Sequence, residues 1–183
     1  MANDTANVST GKGVAGGYVF RAPVGAGTTV PTDNTTALGA EFVGLGFISE
    51  DGISESIETD SENIVDMNGD VILVASSSRE ETITFTLVEV KADALKVAYG
   101  DSNVTEANQL ITVQHNGSDT GQHVYVFELL LKNNRKWRQV VPVGSVTEVG
   151  ELAISSGEVV GREITIACAA DSTGNTVYDY IDA

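Results

Sequence analysis

The sequence predicts a mainly β protein, a β-sandwich or barrel with one flanking α-helix. Three observations predict it. Runs rich in Val, Ile, Thr and aromatic residues recur between Gly, Asn and Asp punctuation, the pattern of short strands and tight turns. Thr82-Ile83-Thr84-Phe85-Thr86-Leu87 alternates without a break, so Ile83, Phe85 and Leu87 share one face and the threonines the other, as in a half-buried strand. Only one stretch, Lys91 to Tyr99, carries a helical pattern, and many strands with one helix make a sandwich or barrel.

In chain order, residues 1–16 are Gly-rich and polar and read as a flexible N-terminal arm, with 17–183 as one domain. Strands are placed near 17–22, 41–49, 53–59, 70–76, 79–90, 109–115, 122–132, 135–142, 145–154, 159–169 and 176–181. Residues 23–40 hold two of the three prolines and no periodicity, so they read as an extended loop. The helix over 91–99 pairs Leu95 with Tyr99 and stops at Gly100, a natural C-terminal cap. Being short, it needs a sheet to pack on. Asn133-Asn134 sits between two apolar runs as a two-residue hairpin turn, because Asn tolerates positive φ. Asn116-Gly117 reads as a second such turn. Arg162, Ile164, Ile166 and Cys168 alternate with Glu163, Thr165 and Ala167.

Charge excludes several functions. The 183 residues are enough for a genuine core, and mean hydropathy near zero fits a folded chain. A net charge of −16 opposes a nucleic-acid-gripping role, which needs a basic stripe to release counterions. One cysteine, Cys168, allows no intramolecular disulfide. MANDTANVSTGKG has neither a basic nor an apolar leader segment, and no apolar run approaches the roughly 18 residues of a membrane span. A reducing cytosol is therefore the expected site of synthesis.

The chemistry of a catalytic site is thin. Cys168 lies in the apolar run ITIACAA, where a free thiol is a small core residue; His115 and His123 are the only histidines. No carboxylate pair stands in an apolar run of the kind that raises a pKa. Asp66-Met67-Asn68-Gly69-Asp70 spaces its oxygens like the start of a calcium loop, but its Gly is misplaced and position twelve is Ser77; a polar turn into a strand is the better reading. Gly11-Lys12-Gly13 lacks the Ser or Thr of a phosphate-binding loop. No enzyme, metal or cofactor is called for.

The acids are the conspicuous feature. Residues 50–70 carry Glu50, Asp51, Glu55, Glu58, Asp60, Glu62, Asp66 and Asp70 with no basic residue, and read as a long acidic loop with a short strand. Four of the ten basic residues, Lys132, Arg135, Lys136 and Arg138, cluster around the Asn133-Asn134 turn. Complementary patches on one chain, facing different ways, give a head-to-tail contact that closes a ring or builds a filament. Strand alternation also gathers Glu80, Thr82, Thr84, Thr86, Glu163 and Thr165 on a polar sheet face.

GKGVAGGYVFRAPVG, LGFISEDGISESIETDSENI, VAYGDSNVT, RKWRQVVPVGSVTEVGEL and GNTVYDYI, in that order from about Gly11 to Ile181, resemble the tail tube (major tail) proteins of long-tailed bacteriophages. The chain departs from that pattern at Cys168-Ala169-Ala170, where relatives tend to carry an aromatic and a proline. The resemblance implies a structural virion protein that assembles as stacked hexameric rings, with inner sheets joined into one barrel around a channel for the genome. It implies that residues 1–16, about 50–70 and about 176–183 make ring-to-ring contacts. The eight acids above then belong to a ring-stacking loop, the basic hairpin to an inter-subunit contact, and the polar face to a candidate lumen wall.

Partners implied by the resemblance are further copies of the chain, a tape-measure protein, a tail terminator and distal tail or baseplate proteins. Transiting DNA would pass without specific binding, no membrane is involved, and assembly takes place in the host bacterial cytoplasm. A duplex in such a channel lies nearer its wall than the ~8 Å Debye length, so an acidic wall repels it. The competing function is a non-enzymatic adhesin or carbohydrate-binding sandwich, which calls for exposed aromatics on a sheet face or a calcium site.

Overall fold

The computed structural model describes residues 5–25 and 27–183; positions 1–4 of the expected arm and Ala26 of the expected loop lie outside them. Eleven strands and one α-helix are present among the described residues. They are β1 (Gly11–Gly13), β2 (Val19–Pro23), β3 (Val43–Gly44), β4 (Ile48–Val65), β5 (Val71–Leu87), α1 (Ala92–Tyr99), β6 (Val104–Ala107), β7 (Leu110–Val113), β8 (Gln122–Leu131), β9 (Lys136–Val149), β10 (Arg162–Ala169) and β11 (Tyr178–Ile181). The protein is mainly β with one helix, as a sandwich whose sheet does not close.

All the pairings are antiparallel. One nine-stranded sheet runs β3-β2-β8-β9-β10-β5-β4, and a two-stranded sheet joins β6 to β7. Two long strands organise it. β8 takes β9 along one edge and β2 and β1 in succession along the other; β9 takes β8 on one edge and β11 then β10 on the other. Pro142, which has no N–H to give the ladder, falls where the β8–β9 register shifts between His123 and Tyr125. Gly144 is required beside it, since a Cβ there would lie 2.7 Å from the Tyr125 ring.

The alternating stripe of β5 does what its pattern demands. Ile83, Phe85 and Leu87 are buried with Ile164, Ile166 and Cys168 of β10, Tyr125 and Phe127 of β8, Val141 of β9, and Ala94 and Val97 of α1. Because β5 and β8 are separated by two strands in the sheet yet share one core, the sheet bends over on itself. Phe85 meets Phe127 across that fold edge to face, with ring centroids 5.4 Å apart. Helix α1 packs on this core and ends at Gly100, where φ is 89° and the N–H returns to the Lys96 carbonyl. Burial pushes the Cys168 thiol up to about 12, so it is an inert packing group.

A second core lies on the other face, where Ala22, Val124, Val126 and Val140 are covered by Phe42, Val30 and Leu38. The segment read as an extended loop is irregular at residues 24–25 and 27–40, and its Val30 and Leu38 pack on this face.

Three expectations are corrected. The acidic segment is strand through Val65 and a turn beyond it, rather than a long loop with a short strand: β4 and β5 form one long hairpin, with register shifts at Ile48/Ile53, Asp60/Ser61 and Ile64/Val65. Its alternation of acids with Ile, Ser and Thr lets the backbone pair while the acids stay solvated. The second Asn turn falls at Asn108-Gln109, both at positive φ, joining β6 to β7, and not at Asn116-Gly117. Asn116 instead exchanges side-chain amide hydrogen bonds with Asn103 at 2.8 and 3.0 Å. The strands expected over 135–142 and 145–154 are one strand, β9, which ends at Val149. Asn133 and Asn134 turn as expected, at φ 64° and 59°. Within the expected arm, Gly11–Gly13 pairs with Leu129–Leu131 of β8, and the Lys132 N–H donates to Ser9 Oγ at 2.8 Å.

Phe85→Ala is expected to cost about 3–5 kcal/mol in urea unfolding, through lost burial and the cavity left behind. Val90→Ala, at a site 65 % exposed, should cost under about 0.5 kcal/mol in the same measurement.

Candidate assembly surfaces

The most unusual surface is the β4–β5 arm. β10 accompanies β5 only from Thr82 to Leu87; from there to the tip, among the described residues, β4 and β5 have no strand partner but each other. Its turn is built by Asp66, whose Oδ1 accepts from the Asn68 N–H at 2.8 Å and the Asp70 N–H at 2.9 Å, while Gly69 takes φ 88°. Those amides, Asp70 first, hold the Asp66 carboxyl below its usual range. The calcium-like spacing is thus a hairpin turn whose carboxylate is satisfied by its own backbone.

Along the arm Glu58 stands directly opposite Glu80, and Asp60 opposite Ser78, whose hydroxyl donates to it at 3.2 Å. Like charges across a pair are destabilising, and two strands alone are marginal in water. Ile57, Ile64, Val65, Met67 and Val71 to Val74 are nevertheless all exposed there, an apolar surface on a charged arm. Glu50 and Asp51 stand apart from these acids, at the base. With Lys12, Tyr18, Glu55 and Trp137 they line an open cleft of about 690 Å3 between β1 and the start of β4.

The candidate polar face is one surface. Glu163 pairs with Thr86, Thr165 with Thr84 and Ala167 with Thr82, and β4 continues the row with Ser54, Ser56 and Glu58 opposite Thr84, Thr82 and Glu80. The hydroxyls of Thr84 and Thr165 hydrogen-bond at 3.0 Å. On the far side β9 adds Ser145 and Glu148. This is a hydroxyl-rich surface with carboxylates and no basic side chain among the residues named.

The four basic residues divide. Arg138 is 4 % exposed and its guanidinium is spent within the chain. It donates to Glu128 Oε1 from Nε at 2.8 Å, with NH2 2.6 Å from the same oxygen, and from NH1 to the carbonyls of Asp33 and Thr36 at 2.7 and 2.9 Å. It is no exposed hairpin charge: β9 is buried on both faces here, with Gln139, Val140 and Val141 buried beside it. Arg135 donates from Nε and NH2 to the Asp182 carbonyl at 2.9 and 2.6 Å, tying the turn to the C-terminal segment. Lys132 and Lys136 are exposed, and neither side chain makes an ion pair among the described residues.

Two polar clusters around buried side chains escape a reading by composition. Arg21, 6 % exposed in the apolar run VFRAP, contacts Asp101 and lies 3.4 Å from His123 Nε2, which is 3.1 Å from Asp101 Oδ2. Burial raises the Asp101 carboxyl, but the Arg21 charge and the hydrogen bonds outweigh it, so it sits below its usual range. The cluster fastens β2 and β8 to the turn after α1. At the root of the arm, Glu81 is 4 % exposed and accepts from Arg79 NH1 at 2.9 Å and from Thr176, while Gln139 Nε2 donates to Glu55 at 3.0 Å. One signal was available: Glu81 has the parity of Ile83, Phe85 and Leu87, and a charge on a buried stripe needs partners.

The sequence profile of the family described as "Phage tail tube protein" matches residues 1–183. The chain belongs to the phage tail tube protein family. It is accordingly a structural tail protein and a virion component. A solved structure titled "Cryo-EM structure of the anti-feeding prophage cap (AFP tube terminating cap)" is similar at 15 % identity and a TM-score of 0.44, over 87 % of this chain and 95 % of that one. No curated protein matches. Among the described residues of this family member no helix is long and apolar enough to cross a membrane.

Arg138→Ser is expected to destabilise the subunit itself, by about 3 kcal/mol, because it strands Glu128 and two loop carbonyls. Lys132→Ser and Lys136→Ser should leave the thermal unfolding midpoint within about 1 °C of the parent. Calorimetry of the three variants checks this.

Proposed function

We propose that the chain polymerises as stacked hexameric rings into the hollow tail tube through which the genome is delivered. The whole-length family match is the observation that carries this. In this reading residues 17–183 are the body of the subunit, and the arm of β4 and β5 is the ring-stacking element. The arm supports the reading physically, since an exposed two-stranded ribbon with apolar residues on both faces gains most by packing on another copy. The outer edge of β4, eighteen residues long, offers unpaired backbone groups that a neighbouring sheet can satisfy.

The polar face of β4, β5, β10 and β9 is the candidate lumen wall. Its hydroxyls and carboxylates give phosphates no counterion-releasing contact, so a duplex would slide rather than stick. Lys132 and Lys136 remain free to meet the acids of a neighbouring copy; Arg135 and Arg138 hold the end of the subunit in shape. Each exposed ion pair contributes at most about 1 kcal/mol, so the charges choose the docking register and the apolar arm supplies the larger share of the affinity. The tape-measure, terminator and distal tail proteins are the partners that such a tube requires.

Electron microscopy of the concentrated protein should show rings or hollow tubes of sixfold symmetry, and hydrogen exchange at the arm should slow on assembly. A chain that stays monomeric across concentration and salt, with equal arm protection in both states, would sink the proposal. Replacing Ile64 and Leu73, which face each other across the arm, with Ser removes about 1–2 kcal/mol of burial per side chain. The critical concentration for tubes should rise at least about tenfold, with the subunit's unfolding midpoint unchanged.

A further inference from the structure

The cleft between β1 and the start of β4 is bounded by unpaired backbone. The Val14 N–H donates to the Glu128 carbonyl at 3.1 Å, and the Leu131 N–H to the Arg135 carbonyl at 2.8 Å. Antiparallel ladders alternate bonded and unbonded pairs. Leu130 therefore turns its backbone to Lys12, while Gly11 and Gly13 turn theirs away from β8 and onto the cleft they line. Neither glycine has a backbone partner on that side among the described residues. Across the cleft, β4 leaves the β5 ladder between Ile48 and Ile53, so residues 49–52 are unpaired as well. Tyr18, Ile53, Leu129 and Trp137 supply apolar lining, and Gln139, bonded to Glu55 at 3.0 Å, adds a polar corner. At about 690 Å3 the cleft has room for a short extended segment of small residues.

The chain also carries a segment that lacks what this cleft offers. Residues 151–160, between β9 and β10, make no backbone–backbone hydrogen bond among the described residues. Leu152 and Val160 share a groove with Ala94, Leu95 and Tyr99 of α1. Ile154, between them, is 77 % exposed, more than any other Ile, Leu or Val described. Residues 153–157 read AISSG, with one β-branched apolar side chain, small neighbours and no charge. Loop and cleft stand at opposite ends of β9. Trp137 is its second residue and Val149 its last, about 40 Å apart at ~3.3 Å per residue. A subunit therefore cannot fill its own cleft.

We infer that the cleft receives residues 153–157 of a second copy as an added strand, with Ile154 seated on Trp137 and Leu129 and the backbone paired to the outward edge of Gly11 and Gly13. Charge selects this occupant. Glu50, Asp51 and Glu55 stand around the cleft. The arm tip, though apolar and exposed, brings Asp66 and Asp70 with it, whereas residues 153–157 bring no charge. Glu151 and Glu158 bracket the loop, and Lys12 stands on the cleft wall to meet one of them, exposed and without an ion pair among the described residues. Donor and acceptor are different surfaces, so the contact is head-to-tail and repeats from copy to copy. It deepens the self-assembly proposed above and takes its purpose from it, but the loop needs neither ring nor tube to enter the cleft.

The test uses the full-length I154D subunit, whose loop has lost its apolar anchor, and a free peptide of residues 151–158. Trp137 is the one tryptophan of the chain, so its emission reports occupancy. The peptide should shift that emission saturably and, at saturation, slow amide exchange at Gly11 and Gly13 by at least about tenfold. The same peptide with Ile154→Asp should bind at least about tenfold more weakly, and a peptide of residues 65–71 should bind more weakly than the loop peptide. No saturable shift, unchanged exchange at the two glycines, equal binding by the Ile154→Asp peptide, or tighter binding by the 65–71 peptide would each overturn the inference. Should I154D fail to fold, I154S serves as the receiving subunit. Peptide binding by a parent that forms no tubes upholds this contact and removes the tube; tubes without peptide binding do the reverse.

Discussion

The buried stripe of Ile83, Phe85 and Leu87 is the constraint on which the rest of the molecule depends. A strand's side chains alternate, so burying these three against Phe127, Ile164 and Ile166 fixes the register of β5 to the residue. β4 and β10 inherit that register through the ladder, and the opposite parity is thereby committed to solvent. The hydroxyl-rich face and the point where the arm leaves the body both follow from this one packing decision. Each of those apolar side chains contributes about 1.5–3 kcal/mol on burial, far more than any surface charge can set against it.

The polar residues then divide by burial rather than by type. Arg21, Arg138 and Glu81 are inside, each satisfied by partners from distant parts of the chain, and they hold loops and strand ends in place. Their value is positional: Arg138 joins the loop near Asp33 to β8 and β9, and Arg21 joins β2 to the turn after the helix. Hydrogen bonds from Thr36 and Thr35 hold the Asp33 carboxyl well below its ordinary range. Arm acids such as Glu58 and Glu62, and the exposed Lys132 and Lys136, carry no such architectural burden. They are available to other molecules, and in a structural tail protein the most numerous other molecules are further copies.

The β4–β5 arm is the imbalanced part of the subunit. It has apolar side chains in water, like charges opposed across the pairing and, among the described residues, no third strand, each of which lowers the stability of a lone ribbon. The cost is tolerable because the root is well supported by the core and the tip by the Asp66 turn. Between these two fixed points the ribbon is held chiefly by the pairing of its own two strands.

Much of this was legible in the sequence. The β class, the single helix ending at Gly100, the Asn133-Asn134 turn, the threonine face and the buried Cys168 all depend on local periodicity or backbone preference, which neighbouring residues state directly. Even the position of Glu81 on an apolar stripe was visible as an anomaly of parity. Only the tertiary structure decided the remainder. That 50–70 is strand depends on its partner over 71–87, because acids interleaved with Ser and Thr carry no apolar period of their own. That Arg138 is buried while Lys132 and Lys136 are free depends on a loop arriving from about a hundred residues away. Charge is counted in a sequence, but burial and partners are properties of the fold, and these determine whether a charge serves the subunit or the assembly.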